Sequence, residues 1–175
     1  MTIINETTVA VSSDLELKEI LENDNSYNYI YFENDIVLSS GISISSKKST
    51  VIIDGTYNGV TYKYTDQKKL GTSDTININS SVTKQVTIKN MIITGYNYYG
   101  VVYVPEAEKY KDTVVEYNNI TYVGPQISFH PMGLTRFIDC NITIQENYAA
   151  GNEVAECNKI EIGGTTDIIH NSTGN

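Results

Sequence analysis

Over most of the chain, apolar and polar residues alternate in runs of four to eight residues, the period of a strand buried on one face. Residues 28–38 (NYIYFENDIVL), 41–45 (GISIS), 50–55 (TVIIDG) and 75–79 (TININ) read as strands broken by turn residues. In residues 56–65 (TYNGVTYKYT), Asn58-Gly59 predicts a protruding hairpin with a type I′ turn. Residues 105–112 (PEAEKYKD) read as a solvated loop. A single stretch, 12–23 (SSDLELKEILEN), carries a helical period instead. Ser13 or Asp14 can cap it, and Leu15, Leu17, Ile20 and Leu21 supply an apolar stripe.

The strands repeat. VTIKNMIIT, VVEYNNITY, RFIDCNITI and VAECNKIEI align on Asn90, Asn119, Asn141 and Asn158, which are 29, 22 and 17 residues apart. A period of that size, made only of strands and tight turns, predicts an all-β parallel solenoid of about five coils. Successive coils would stack roughly 4.8 Å apart, so like side chains form columns. Asn at a sharp corner tolerates left-handed backbone and can bond through its amide to the Asn above and below. Four unrelated Asn-turn hairpins in a sandwich are the alternative, which the uneven spacing leaves open. Cys140 and Cys157 each precede an aligned Asn, which predicts equivalent sites about 5 Å apart on successive coils, where a disulfide is geometrically allowed. Two stacked, reduced thiols are the favoured reading. The helix, laid across the first coil, would shield an open sheet edge.

Composition adds limits. The 175 residues carry a formal charge of −9, with 14 Tyr, no Trp and one arginine, Arg136. That balance argues against nucleic acid and anionic membrane surfaces as partners. No apolar run is long enough for a membrane span, and no basic region followed by an apolar core marks a leader. His130 and His170 are isolated and no Cys or His pair has ligand spacing, so no metal or other cofactor is expected.

The helix followed by YIYFENDIVL resembles the opening of pectate-lyase-like right-handed β-helices. Residues 114–144, with the Gly124-Pro125-Gln126 step and a turn around Gly133, resemble more specifically the pectate-lyase-like adhesive domain of Gram-positive bacterial surface proteins. CNKIEIGGTTDIIH (157–170) resembles the next coil, so the similarity covers roughly residues 13–170. The resemblance implies a short right-handed parallel β-helix of the pectin-lyase-like kind. Its expected division is a capping helix at 12–23, coils at 24–170 and a tail at 171–175 of one domain, itself part of a longer protein. It also implies an extracellular or wall-associated, non-catalytic adhesive that binds a glycan or a surface or matrix protein. End-to-end association, or further coils, would cover the last coil.

Catalysis needs its own residues. A lyase of acidic polysaccharide would draw on Arg136 and Asp139, but on an alternating strand these point to opposite faces. A glycosidase needs two carboxylates across a cleft, and Glu106, Glu108, Asp112 and Glu116 are the available acids. For binding, Tyr96, Tyr98, Tyr99 and Tyr103 offer flat apolar rings with polar tips on and beside a turn. The alternative is that they line strand exteriors and cover the hairpin around Tyr57, Tyr62 and Tyr64. A spacer that merely presents another domain is a third reading.

Overall fold

The structure, a computed structural model, describes residues 1–66, 75–147 and 153–171. Most of its strands fall into three stacks of parallel pairs. The first stack holds β2 (Thr8–Val11), β3 (Tyr29–Phe32), β6 (Thr50–Asp54) and the first halves of β11 (Gln85–Thr94) and β13 (Val114–Gly124). It continues with the second halves of β14 (Ser128–Ile138) and β16 (Ala155–Gly163). The second stack holds β4 (Ile36–Val37), β9 (Lys63–Thr65), the second halves of β11 and β13, β15 (Asn141–Ile144) and β17 (Asp167–His170). The third holds β5 (Ile42–Ile44), β10 (Ile76–Ile78), β12 (Val102–Tyr103) and the first halves of β14 and β16. Among the described residues, the chain runs through first, second and third stack in that order five times from β3 to β16. The fold is thus all-β, mostly parallel and β-helix-like.

Register turns the alternating sequence into columns. Val9, Ile30, Ile53, Ile88, Tyr117, Phe137 and Ile162 lie over one another in the first stack. Ile36, Tyr64, Ile93, Tyr122, Ile142 and Ile168 do so in the second. All but the last member of each column are buried, and they form one core. Such burial contributes about 1.5–3 kcal/mol for each large aliphatic or aromatic side chain. Gly95 and Gly124 flank Tyr122 because its ring fills their space: an added Cβ would lie 2.3 Å and 2.5 Å from its hydroxyl.

Helix α1 (Asp14–Glu22) starts at Ser13, whose Oγ accepts the Glu16 N–H at 3.3 Å, while the Glu16 carboxylate accepts the Ser12 N–H at 2.8 Å. Leu17, Ile20 and Leu21 are buried against the first coils, but Leu15 is 68% exposed and does not belong to the stripe. Two residues from Leu17 is a rotation of about 200° on a helix, which turns Leu15 to solvent. β1 (Thr2–Asn5) pairs antiparallel with β2. β7 (Thr56–Tyr57) and β8 (Val60–Thr61) form the hairpin, with Asn58 and Gly59 both at positive φ as a type I′ turn requires. The 105–112 loop carries one 3-10 turn, Glu108–Tyr110, which buries Tyr110.

The corner between first and second stacks corrects the Asn alignment. The residues at positive φ there are Asn90 (53°), Asn119 (52°), Asp139 (53°) and Gly164 (62°). Asn118 pairs with Ile138, so Asn119 stands against Asp139 rather than Asn141. Asn141 begins β15 opposite Thr121, and Asn158 lies within β16, exposed. Asp and Gly enter left-handed backbone as Asn does, so residue identity misled where the backbone requirement was constant. Asn119 Nδ2 donates to Asn90 Oδ1 at 2.9 Å, and Asn90 Nδ2 donates to Asp54 Oδ1 at 3.0 Å. Asp139 Oδ1 accepts the Thr165 N–H at 2.8 Å. The cysteines are likewise not equivalent. Cys140 follows this corner, buried, its thiol donating toward the Ile138 and Tyr117 carbonyls, whereas Cys157 stands opposite His130 in the third stack. Both thiols are free.

Candidate functional site

On the outer side of the third stack, register aligns Ser43, Asn77, Tyr103, Phe129 and Glu156, one from each successive coil. Small polar residues at one end of this column give way to aromatic rings and then to acid. The turn before β12 adds Tyr98 and Tyr99. Asp66 builds that turn: its carboxylate accepts the Tyr96 N–H at 2.6 Å and the Asn97 N–H at 3.2 Å. Asn97 Oδ1 then accepts the Tyr99 N–H at 2.9 Å. Gly100, at φ 75°, closes the turn directly against the Ile127 backbone, where a Cβ would sit 2.5 Å from the carbonyl carbon. Burial raises the Asp66 pKa to about 7, against the two N–H bonds that lower it.

Four rings meet as a result. Tyr99 packs edge-on against Tyr98, Tyr103 and Phe129 at centroid distances of 5.5, 5.4 and 5.1 Å. Tyr103 stacks on Phe129 at 5.2 Å. All four are half-buried, so each keeps an exposed face or edge. Tyr98, Tyr99 and Tyr103 therefore do line the exterior; they cover Phe129 rather than the distant hairpin. Tyr96 sits in the same turn, its N–H on Asp66. Burial is the first cause of the raised pKa values of Tyr98 and Tyr103, with Glu153 adding for Tyr98 and Tyr99 for Tyr103. Glu156 is also held above the usual carboxylate range by burial, then by Glu153 and Glu106.

Tyr103 also forms one wall of a groove of about 540 Å³, whose lining includes Lys18, Glu22, Ser43, Asn77, Asn79 and Pro105. The sequence offered no sign of it, because α1, β5, β10 and β12 bring its walls together from far apart. The polar walls are pre-set. Lys18 Nζ donates to the Gly41 carbonyl at 3.0 Å and stands 3.9 Å from Glu22, and Glu22 accepts the Ser43 N–H at 2.9 Å. Asn77 Nδ2 donates to the Thr75 carbonyl at 2.9 Å, and Asn79 Nδ2 to Ser43 Oγ at 3.1 Å. Phe129 carries a sequence signal too: it alternates with the inward Ser128 and His130.

Arg136 and Asp139 are engaged with different partners. Arg136 donates to Glu161 at 2.8 Å and to Glu116 at 3.0 Å, and these two acids raise its pKa further. A guanidinium held between two carboxylates is a poor proton acceptor. Asp139 is engaged at the corner with Thr165. Gly124, Pro125 and Gln126 are buried and make the passage from second to third stack. The Tyr122 hydroxyl donates to the Gln126 carbonyl at 2.5 Å and Gln126 Nε2 donates to the Ser128 carbonyl at 3.0 Å. Among the described residues, no three His, Cys, Asp or Glu side chains converge as a metal site, and no helix is long and apolar enough to cross a membrane.

The family of pectate lyase-like adhesive domains matches residues 8–129 of this sequence. The chain belongs to that family. No curated protein and no solved structure gives a significant match. Within this adhesive domain the match takes in α1, the hairpin, the groove and all four clustered rings. It ends at Phe129, so the resemblance drawn from residues 130–170 lies beyond it. Membership points to an adhesive role, to a surface or matrix partner and to a location outside the cell or on its surface.

Proposed function

We propose that this chain is a non-catalytic adhesive module, closed as a right-handed β-helix, whose third stack binds a glycan at the cell exterior. One observation carries the reading: the aromatic platform at Tyr103 opens directly onto a polar groove large enough for a sugar ring or two. A pyranose presents an apolar face to stack on an aromatic ring and hydroxyls to meet amide, hydroxyl and charged groups, and the groove offers both. Its charges balance within it, and the nearby Glu106, Glu153 and Glu156 together with the net charge of −9 disfavour uronate polymers. The preferred ligands are therefore neutral or amino sugars. Family membership supports adhesion, and the occupied state of Arg136 supports the absence of lyase chemistry.

A glycan array with the purified chain tests this. Neutral glycans are expected to bind, and Tyr103→Ala to weaken them about tenfold, the loss of roughly 1.4 kcal/mol of ring contact. Binding untouched by Tyr103→Ala removes the groove from the reading, and no binding to any glycan favours a spacer. New ultraviolet absorbance from unsaturated product on an acidic polysaccharide would instead establish a lyase.

A further inference from the structure

The aromatic cluster has a second side, away from the groove. Phe129 stacks on Tyr103, and the register puts Glu156 in the next place of the same outward column, one strand spacing of roughly 4.8 Å beyond. Glu153 joins it there, since its Oε1 accepts the Tyr98 hydroxyl at 3.4 Å. Glu106 is the third acid nearby: after burial, the charges of Glu153 and Glu106 raise the Glu156 pKa. All three acids are half-buried and, among the described residues, none forms a salt bridge. On the first stack the outward carboxylates do meet cations. Glu116 and Glu161 flank Arg136, and Asp54 stands 3.5 Å from Lys89.

An aromatic ring is negative on its faces and positive at its edge. Phe129 gives one face to Tyr103, so its other face is toward the coil that carries Glu156. A carboxylate beside a ring face is electrostatically unfavourable, and a cation placed between the two is attracted by both. The surroundings select the kind of cation. A primary ammonium is compact and strongly hydrated, and it needs acceptors for three N–H groups. A trimethylated nitrogen has no N–H and presents methyl groups to ring faces. Four half-buried rings in mutual contact, with carboxylates at one rim, suit the second.

We infer that Tyr98, Tyr99, Tyr103 and Phe129, with Glu153 and Glu156 at their rim, bind a quaternary ammonium group of the choline kind. The site goes beyond the glycan reading. The groove lies on the Ser43 and Asn77 side of Tyr103, and its lining includes neither Phe129 nor Glu156.

Isothermal titration of the full chain with choline chloride is expected to show saturable binding. Ethanolamine, the unmethylated counterpart, should bind at least about tenfold more weakly. The uncharged isostere, with a tert-butyl group in place of trimethylammonium, should not bind. Phe129→Leu should weaken choline about tenfold and Glu156→Gln about threefold, with far-ultraviolet circular dichroism unchanged. Phosphocholine on a soluble carrier and phosphatidylcholine vesicles then separate a polymer-borne group from a lipid headgroup; capture by either supports the site and names its source. No binding at millimolar choline, equal binding of the uncharged isostere, or choline binding untouched by both substitutions would overturn the proposal. Glycan-array hits without choline binding remove the ammonium site alone, and choline binding without a glycan hit removes the groove reading alone.

Discussion

Asn119 offers the sharpest test of the stacked corner. It holds left-handed backbone at φ 52° and donates its amide to Asn90 Oδ1 at 2.9 Å. Alanine loses both properties: left-handed backbone costs a residue with a Cβ about 1–2 kcal/mol, and the hydrogen bond contributes about 0.5–1.5 kcal/mol. Asn119→Ala should therefore cost about 2 kcal/mol. Asn119→Gly loses the bond but adopts the backbone without strain, and its extra freedom when unfolded adds about 0.5–1 kcal/mol, so the net cost should lie nearer about 1.5 kcal/mol. Urea unfolding followed by far-ultraviolet circular dichroism gives both values under one protocol. The order expected is wild type, then glycine, then alanine, with a melting point for alanine about 4–8 °C below wild type. Since glycine is normally the poorer residue in regular structure, this order is diagnostic. If alanine proves as good as glycine, the corner does not impose left-handed geometry and the column Asn90, Asn119, Asp139, Gly164 is wrong.

Other outcomes follow from the same structure. Ile142→Ala, a buried member of the second-stack column between Tyr122 and Ile168, should cost about 2–5 kcal/mol, read as a lower urea midpoint; a smaller loss would mean a loosely packed core. Two buried groups should drive stability in opposite directions with pH. His130, its Nε2 on the Thr113 carbonyl, has its pKa lowered to about 4 by burial, so stability it supports above pH 6.5 is lost as pH falls toward 4. Asp66, raised to about 7, contributes most below its unfolded value near 3.8, and that contribution is lost as pH rises through 7. Urea titrations between these limits should thus show His130→Gln losing stability as pH rises and Asp66→Asn losing it as pH falls; parallel curves would refute both assignments. In the native protein a thiol reagent should modify half-buried Cys157 well before Cys140, which is buried and reacts only on unfolding. Equal rates would contradict their different placement, Cys140 buried after the corner and Cys157 half-buried in the third stack.

Strand periodicity, the type I′ hairpin and the capped helix were legible in the sequence, because each depends on neighbours within a few residues; the parallel stacking was legible only as a repeat of strands and turns. The αL corner was legible as a requirement for Asn90 and Asn119. It was not legible at Asp139 and Gly164, where other residues meet the same backbone demand. Coil length varies, with 29 residues from Asn90 to Asn119 and 20 from Asn119 to Asp139, and only three-dimensional register decides which residues stack. For that reason Cys140 and Cys157 parted, and the place of Arg136 between Glu116 and Glu161 could not be named in advance. The tyrosines could be named in advance, but the groove could not. Its walls come from residues between Lys18 and Pro105, and a concave surface exists only once α1 is laid beside the third stack. Alternation and turn chemistry are local properties of a chain; columns and grooves belong to the way its coils are superposed.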